Sequence, residues 1–297
     1  MANDTRPVGV IGTGLMGTAC ARRLLAAGFE VLGYDVNARQ LAAFEACGGR
    51  TARSAAQIAR ECDTAVLAVF DTAQVEEAIE GKQGLLAARP EQAVPLTVVC
   101  VSTCDPERIA ALASRLSGRL RFVEAPISGT SEQVARGEGL GLIGGEPAAA
   151  ESARAVLDAI CPRRHHLGPA GNGARAKLAI NLILGVNRAA LAEGLAFAER
   201  MGLDPAAFLA VARDSAAYSQ VMDVKGGKMV SGDFSPHGRV TQSLKDFELM
   251  LAQAARLRQR LPLAESYAAL MRGCIAAGEG ELDNSIVINE IRRRRTA

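Results

Sequence analysis

The chain has 297 residues, 49% of them hydrophobic, which is enough for two domains with real cores. Its 34 basic and 32 acidic side chains leave a formal charge of +2, which excludes the broad basic surface of a nucleic-acid binder and favours a small-molecule partner. The seven cysteines (Cys20, Cys47, Cys62, Cys100, Cys104, Cys161, Cys274) are odd in number and follow no regular spacing, so they read as reduced thiols packed as small apolar residues.

In chain order, the polar stretch Met1 to Pro7 leads directly into a strand, and no apolar run reaches membrane-spanning length. A cytoplasmic protein without a membrane partner is expected. Val8 to Ile11, Val31 to Tyr34, Ala65 to Val69 and Thr97 to Val101 read as strands, with amphipathic stretches between them. Continuous apolar strands alternating with helices indicate a parallel sheet covered on both faces, the doubly wound α/β architecture. Two further short strands fall around Arg121 to Glu124 and Leu140 to Ile143, before the turn-rich stretch Gly168 to Gly173. From Ala174 to Arg200 helical spacing predicts one helix long enough to cross between domains. Four or five helices follow, with breaks near Asp204-Pro205, Gly226-Gly227, Ser235-Pro236 and Leu261-Pro262. The arginines from Arg292 to Arg295 read as a solvated or frayed terminus. The expected organisation is an N-terminal Rossmann domain, residues 1–168, and an all-α domain, residues 169–297, joined by the long helix.

Gly12-Thr13-Gly14-Leu15-Met16-Gly17 matches G-x-G-x-x-G between a strand and a helix. The first glycine permits a tight turn, the second lets a pyrophosphate approach the backbone, and the third lets helix and strand pack closely. The alternative is a sharp turn with unusual backbone angles and no ligand. Asp35, eighteen positions after Gly17 and at the end of the second strand, has the spacing at which an acid bonds the adenosine ribose, and its charge favours NAD over NADP. Arg39 could swing toward a 2′-phosphate, although an exposed helical arginine is the plainer account. Leu15 and Val69 join the same cofactor set.

The segment Glu124-Ala125-Pro126-Ile127-Ser128-Gly129-Thr130 offers the Ser128 hydroxyl and the Gly129 amide to a carboxylate, or is a simple turn. At the start of the long helix, Lys177 and Asn181 are four apart and leave one face, beside the apolar Leu178 and Leu182. A snorkelling lysine with a polar neighbour is the alternative there.

In this order and spacing the segments resemble the β-hydroxyacid dehydrogenases typified by 3-hydroxyisobutyrate dehydrogenase, over nearly the whole chain. That family's dinucleotide fingerprint aligns with Gly12, Gly14, Met16 and Gly17, and its Asp-Ala-Pro-Val-Ser-Gly-Gly segment with Glu124 to Thr130. Its Gly-x-x-x-Lys-x-x-x-Asn segment aligns with Gly173, Lys177 and Asn181, and its late Lys-Asp motif with Lys245-Asp246. The resemblance implies an NAD-dependent enzyme acting on the CH–OH group of a small 3-hydroxy acid. Lys177 would be the general acid/base, Asn181 would orient substrate, and Ser128, Gly129 and Thr130 would bind it. Lys245 and Asp246 would serve the cofactor, with Lys245 closing on the nicotinamide side. Ser102 and Thr103 would sit near the nicotinamide, or simply lead into the helix at Asp105-Pro106. Relatives pair through the long helix and helical domain, so a homodimer or homotetramer is expected.

Thr130 stands where the family usually has a second glycine, and Gly238 and Gln242, with His237 and Arg239 nearby, replace its usual Phe and Leu before Lys245. These departures favour a more polar substrate than 3-hydroxyisobutyrate. The three histidines lack metal-site spacing, no metal is expected, and Cys104 reads as a packing residue. Two other readings stay open: a non-catalytic dinucleotide-binding protein, against which the intact Lys177 and Asn181 argue, and an imine reductase, whose members generally replace this lysine.

Overall fold

The computed structural model describes residues 6–88 and 94–294. Met1 to Thr5 and Arg295 therefore lie outside the described residues. The chain divides into two compact units, one ending at Lys177 and the other beginning at Leu178. The first turn of the long helix bonds to the first unit through Gly173 and Lys177.

In the first unit, β1 (Val8–Ile11), β2 (Val31–Tyr34), β3 (Arg50–Thr51), β4 (Thr64–Leu67), β5 (Leu96–Cys100) and β6 (Leu120–Glu124) form one sheet. Its order is β3-β2-β1-β4-β5-β6 and every pair is parallel, the arrangement of dinucleotide-binding doubly wound sheets. Alternate residues of the same strands enter two separate cores: Val8, Val10, Val66 and Val99 one, Ile11, Leu32, Leu67 and Val98 the other. Burial on both faces is the physical reason for the unbroken apolar runs. The third expected strand stops at Leu67, so Val69 lies in the loop beyond it.

Helices α1 (Leu15–Ala26), α2 (Ala38–Glu45), α3 (Ala55–Glu61), α4 (Thr72–Glu80) and α5 (Pro106–Leu116) connect the strands. Side chains of Asn37, Ser54, Asp71 and Asp105 cap the last four by accepting first-turn amides, and Pro106 fixes the start of α5. A second sheet holds β7 (Ile127–Ser128), β8 (Leu140–Ile143) and β9 (Arg163–His166), with β7 antiparallel and β9 parallel to β8. Helices α6 (Ser131–Ala135), α7 (Pro147–Ser152) and α8 (Arg154–Ile160) belong to this region.

Helix α9 (Asn172–Arg200) has 29 residues and spans about 43 Å at the usual rise. It is long and apolar enough, by length and composition alone, to cross a membrane, which corrects the expectation that no segment would be. Polar residues at Lys177, Asn181, Arg188 and Glu193 interrupt its apolar run, which is why the sequence pattern shows no unbroken stretch of membrane-spanning length. Part of its apolar face packs inside: Leu178, Leu191, Ala192 and Leu195 lie in the core of the second unit.

That unit adds α10 (Pro205–Asp214), a π-helical turn (Met222–Gly226), α11 (Gly227–Ser231), α12 (Val240–Arg256), α13 (Pro262–Ala276) and α14 (Val287–Arg293). No strand is found in it among the described residues, as expected of an all-helical domain. The glycine pair Gly226-Gly227 is not a break. The π turn runs straight into α11, and a Cβ on Gly226 would stand 2.6 Å from Leu209, so the glycine serves close packing, while Gly232 at φ +73° ends the helix. Nor are the last arginines simply solvated: Arg292 pairs with Glu199, Arg293 with Glu279 and Glu290, and Arg294 with Glu290.

Candidate active site

The loops that follow the strands of the parallel sheet share one edge of it. After β1, Gly12 turns at φ +86°, and a Cβ there would stand 2.6 Å from the Ala68 carbonyl oxygen. A Cβ on Gly17 would overlap the carbonyl oxygen of Gly12, so only glycine lets α1 lie this close to the turn. Gly14 differs: a Cβ there would meet nothing within 4 Å, and as N-cap of the twelve-residue α1 it offers no side chain to the first-turn amides. Open space over an uncapped helix N-terminus is what a pyrophosphate needs, so these residues fit a dinucleotide. Leu15 and Met16, half-buried, open the same helix.

Asp35 is drawn into this turn. Its Oδ2 accepts the Thr13 amide at 2.7 Å and the Thr13 hydroxyl at 3.3 Å, and Oδ1 accepts the Asn37 amide at 2.8 Å. The carboxylate thereby ties the loop after β2 to the glycine turn. Thr13, fully buried, was not singled out from the sequence, because its position in the fingerprint tolerates any residue. Arg39 is exposed in the first turn of α2. Val69 stands beside Gly12, with its Cγ1 3.1 Å from the position of a Cβ there, and its carbonyl oxygen accepts the Ser102 hydroxyl at 2.8 Å. Thr103 and Cys104 follow, both buried, and Asp105 caps α5 through the Glu107 and Arg108 amides.

From the end of β6 the chain passes through Ala125, whose amide bonds the Cys100 carbonyl at 2.7 Å, into β7. Ser128 closes β7 opposite Leu140, and Gly129 takes φ +144°, which favours glycine. Thr130 is the N-cap of α6: its hydroxyl accepts the Gln133 amide at 3.2 Å, and the Gln133 side chain accepts the Thr130 amide at 2.9 Å. This capping box accounts for a threonine at that position. Lys177 is 7% exposed and its Nζ donates to the Ile127 carbonyl at 2.8 Å, which places the amine next to Ser128. A backbone carbonyl leaves no signature in a sequence, so this partner was not foreseeable.

Within the second unit, Asn181 lies on α9 one turn beyond Lys177. Its Nδ2 donates to Asp246 Oδ2 at 2.9 Å, while Asp246 Oδ1 pairs with Lys245 Nζ at 2.9 Å and accepts the Gln242 side-chain Nε2 at 3.3 Å. The buried Asp246 thus holds both Asn181 and Lys245, and Gln242 joins that network. Asp283, after α13, and Lys225 form a buried pair at 2.8 Å, and Asp283 Oδ2 also accepts the amides of His237 and Gly238 just before α12. Burial works against the Asp283 charge, but Lys225 and Ser285 outweigh it and hold the carboxyl at about 2. The pair fixes the loop that carries His237 and Gly238. Among the described residues no group of three His, Cys, Asp or Glu side chains could hold a metal ion. Burial pushes the thiols of Cys20, Cys62, Cys161 and Cys274 up to about 12, in keeping with packing residues.

Residues 7–168 match the family model described as the NAD binding domain of 6-phosphogluconate dehydrogenase. Residues 171–291 match that of the NAD-binding region of NADP-dependent 3-hydroxyisobutyrate dehydrogenase. An L-threonate dehydrogenase of Cupriavidus necator is 33% identical over 96% of this chain and 95% of its own length. The crystal structure of a 3-hydroxyisobutyrate dehydrogenase from Salmonella typhimurium is similar with a TM-score of 0.85 and 30% identity, over 96% of this chain and 99% of that one. A structure of Psf3 in complex with NADP+ and 2-OPP has a TM-score of 0.86 and 26% identity, over 95% and 99% of the two chains.

Proposed function

The chain belongs to the β-hydroxyacid dehydrogenase family, and from that premise we propose that it interconverts a small, polar 3-hydroxy acid and its aldehyde or ketone, with NAD as hydride carrier and Lys177 as general acid/base. The observation that carries the reading is the buried Lys177 amine, held at the Ile127 carbonyl beside Ser128 and Gly129. A bound nicotinamide supplies the hydride acceptor. The remaining work belongs to the chain's own groups.

The turn from Gly12 to Gly17 and the N-terminus of α1 hold the pyrophosphate. Asp35 faces the adenosine ribose, where its charge repels a 2′-phosphate and so favours NAD. Ser102, Thr103 and Val69 shape the nicotinamide end, and Lys245 serves it with Asp246. Ser128 and Gly129 hold the substrate carboxylate through a hydroxyl and an amide. Lys177 takes the hydroxyl proton during oxidation and returns it during reduction, as an amine can and a guanidinium cannot. Asn181, oriented by Asp246, steers the substrate hydroxyl toward Lys177.

The L-threonate dehydrogenase relative supports a polar acid of the threonate class. The test is an NAD-reduction screen over glycerate, serine, threonate, 3-hydroxyisobutyrate and sulfonated analogues, with cyclic imines as a separate arm. NADH formation from a polar 3-hydroxy acid is the expected result. Turnover of imines alone, or of no hydroxy acid, would overturn the proposal.

A further inference from the structure

Glu124 has no part in the reaction as described, yet it is the acid that the fold treats most unusually. It ends β6 at 2% exposure, and its Oε1 accepts the Gly173 amide at 2.6 Å. The other oxygen, Oε2, is buried without a hydrogen-bond partner among the described residues. Burying a carboxylate oxygen in this way is costly, and it is the amides of Gly171, Gly173 and Ala174 around the start of α9 that favour its charge. Room is cleared for it on two sides: a Cβ on Gly144 would overlap Oε1, and one on Gly173 would stand 2.9 Å from it. The backbone is pinned as well, because Glu124 and Gly144 exchange amide–carbonyl bonds of 2.9 Å in both directions.

Gly173 lies in the first turn of α9, one turn before Lys177. We infer that Glu124 is a positioning residue for proton transfer: its ionised carboxylate anchors the first turn of α9 to the end of β6, setting where the Lys177 amine meets the Ile127 carbonyl, and its protonation releases that anchor. This rests on the reading of Lys177 as the acid/base. A charge-assisted bond to Gly173, reinforced by the positive end of a long helix, is about twice as strong as the bond a neutral carboxyl accepts. Protonation therefore loosens the turn without breaking the fold.

The charged and titratable groups that face Glu124 leave it alone in the neutral range. Arg175 on α9 is exposed and pairs with Glu107 at 3.6 Å. Cys100 at the end of β5 is kept a neutral thiol by its bond with Cys104 and by burial. Burial pushes the Glu124 carboxyl up to about 7, against the pull of the Gly173, Gly171 and Ala174 amides and of Arg175.

The test compares the wild type with Glu124→Gln, Glu124→Asp and Lys177→Ala between pH 5.5 and 10, on the best acid from the screen. In Glu124→Gln, kcat at pH 8 is expected to fall about tenfold while the KM of the acid and NAD affinity change less than twofold. The wild-type rise in kcat near pH 7 disappears in this variant, the rise due to Lys177 remains, and Glu124→Asp restores part of both. Independently of turnover, the Gly173 amide resonance of the wild type titrates with a midpoint between pH 6 and 8, and does not in Glu124→Gln. A Gly173 amide that stays flat overturns the anchor, as does a Glu124→Gln enzyme with an unchanged profile or one that is slower by the same factor at every pH. A Lys177→Ala enzyme that keeps its activity sinks the acid/base reading and the catalytic half of this inference, while the Gly173 titration reports the anchor separately.

Discussion

Replacing Glu124 by glutamine removes a titration that the fold opposes. In an unfolded chain this carboxyl loses its proton at an ordinary value of 4.5, whereas burial pushes it up to about 7 in the folded protein. The folded state holds the proton longer. The stabilisation that goes with it is complete below pH 4.5 and is lost as the pH rises through 7. A difference of one pKa unit is worth about 1.4 kcal/mol, so the two values imply roughly 3 kcal/mol in all, most of which falls between pH 5 and pH 8. At 2% exposure, solvent does little to reduce that figure. Glutamine does not titrate, and whatever its amide gains or loses against Gly173 is independent of pH and cancels between two pH values. Urea unfolding of both proteins in parallel, at half-unit steps across that range, is the assay. The difference in unfolding free energy is expected to move in the variant's favour by roughly 2 to 3 kcal/mol from pH 5 to pH 8. A difference that moves by less than about 1 kcal/mol would mean that water reaches the carboxylate, and the burial argument would fail.

Lys177→Ala is expected to lower kcat by roughly 10²- to 10⁴-fold while NAD titration stays near the parent value, and Lys177→Arg does not restore turnover; activity within a few-fold of the parent moves catalysis elsewhere. Asp35→Asn relaxes the preference for NAD, read as the ratio of kcat/KM for the two cofactors. A parent enzyme that uses NADP equally well contradicts the placement of Asp35 at the ribose. Ser128→Ala raises the KM of the acid roughly 10- to 150-fold, the worth of one hydrogen bond to a charged group. An unchanged KM with altered NAD binding removes Ser128 from the substrate site.

What the sequence disclosed followed from how each residue earns its place. Strands β1, β2, β4 and β5 are legible because burial on both faces demands apolar residues, and the starts of α5, α10 and α13 are legible because Pro106, Pro205 and Pro262 mark them. The edge strands β3 and β9 were missed. Arg50-Thr51 and Arg163-Arg164-His165-His166 are strands through pairing with β2 and β8, not through any pattern of their own. Of the second sheet only β8 was legible, and its pairing with β7 and β9 was not, for the same reason. At the site, the glycine turn, Asp35, Lys177 and Asn181 announce themselves by spacing, since their neighbours on a helix or a turn are fixed by geometry. The bond from Asp35 to Thr13, the Ile127 carbonyl at Lys177 and the enclosure of Glu124 arise between segments far apart in the chain, where no spacing rule reaches.

The parallel sheet does not end where its strands do. Just beyond them the amides of Ala52, Gly12, Ala68, Val101 and Ala125 each donate to a carbonyl of the adjoining strand, those of Gly33, Tyr34, Ile11, Leu67 and Cys100, at 2.7 to 2.9 Å. The loops after β1, β4, β5 and β6, which bear Gly12, Val69, Ser102 and Ser128, are therefore stitched at their roots by main chain alone. Root bonds of this kind do not depend on which side chain follows, so the loops can exchange residues over evolutionary time while their points of departure stay fixed. A lineage that needs a new acid can rewrite Ser128 without loosening the frame that aims it, and a designer who grafts such loops can treat those five amides as the fixed points of the graft.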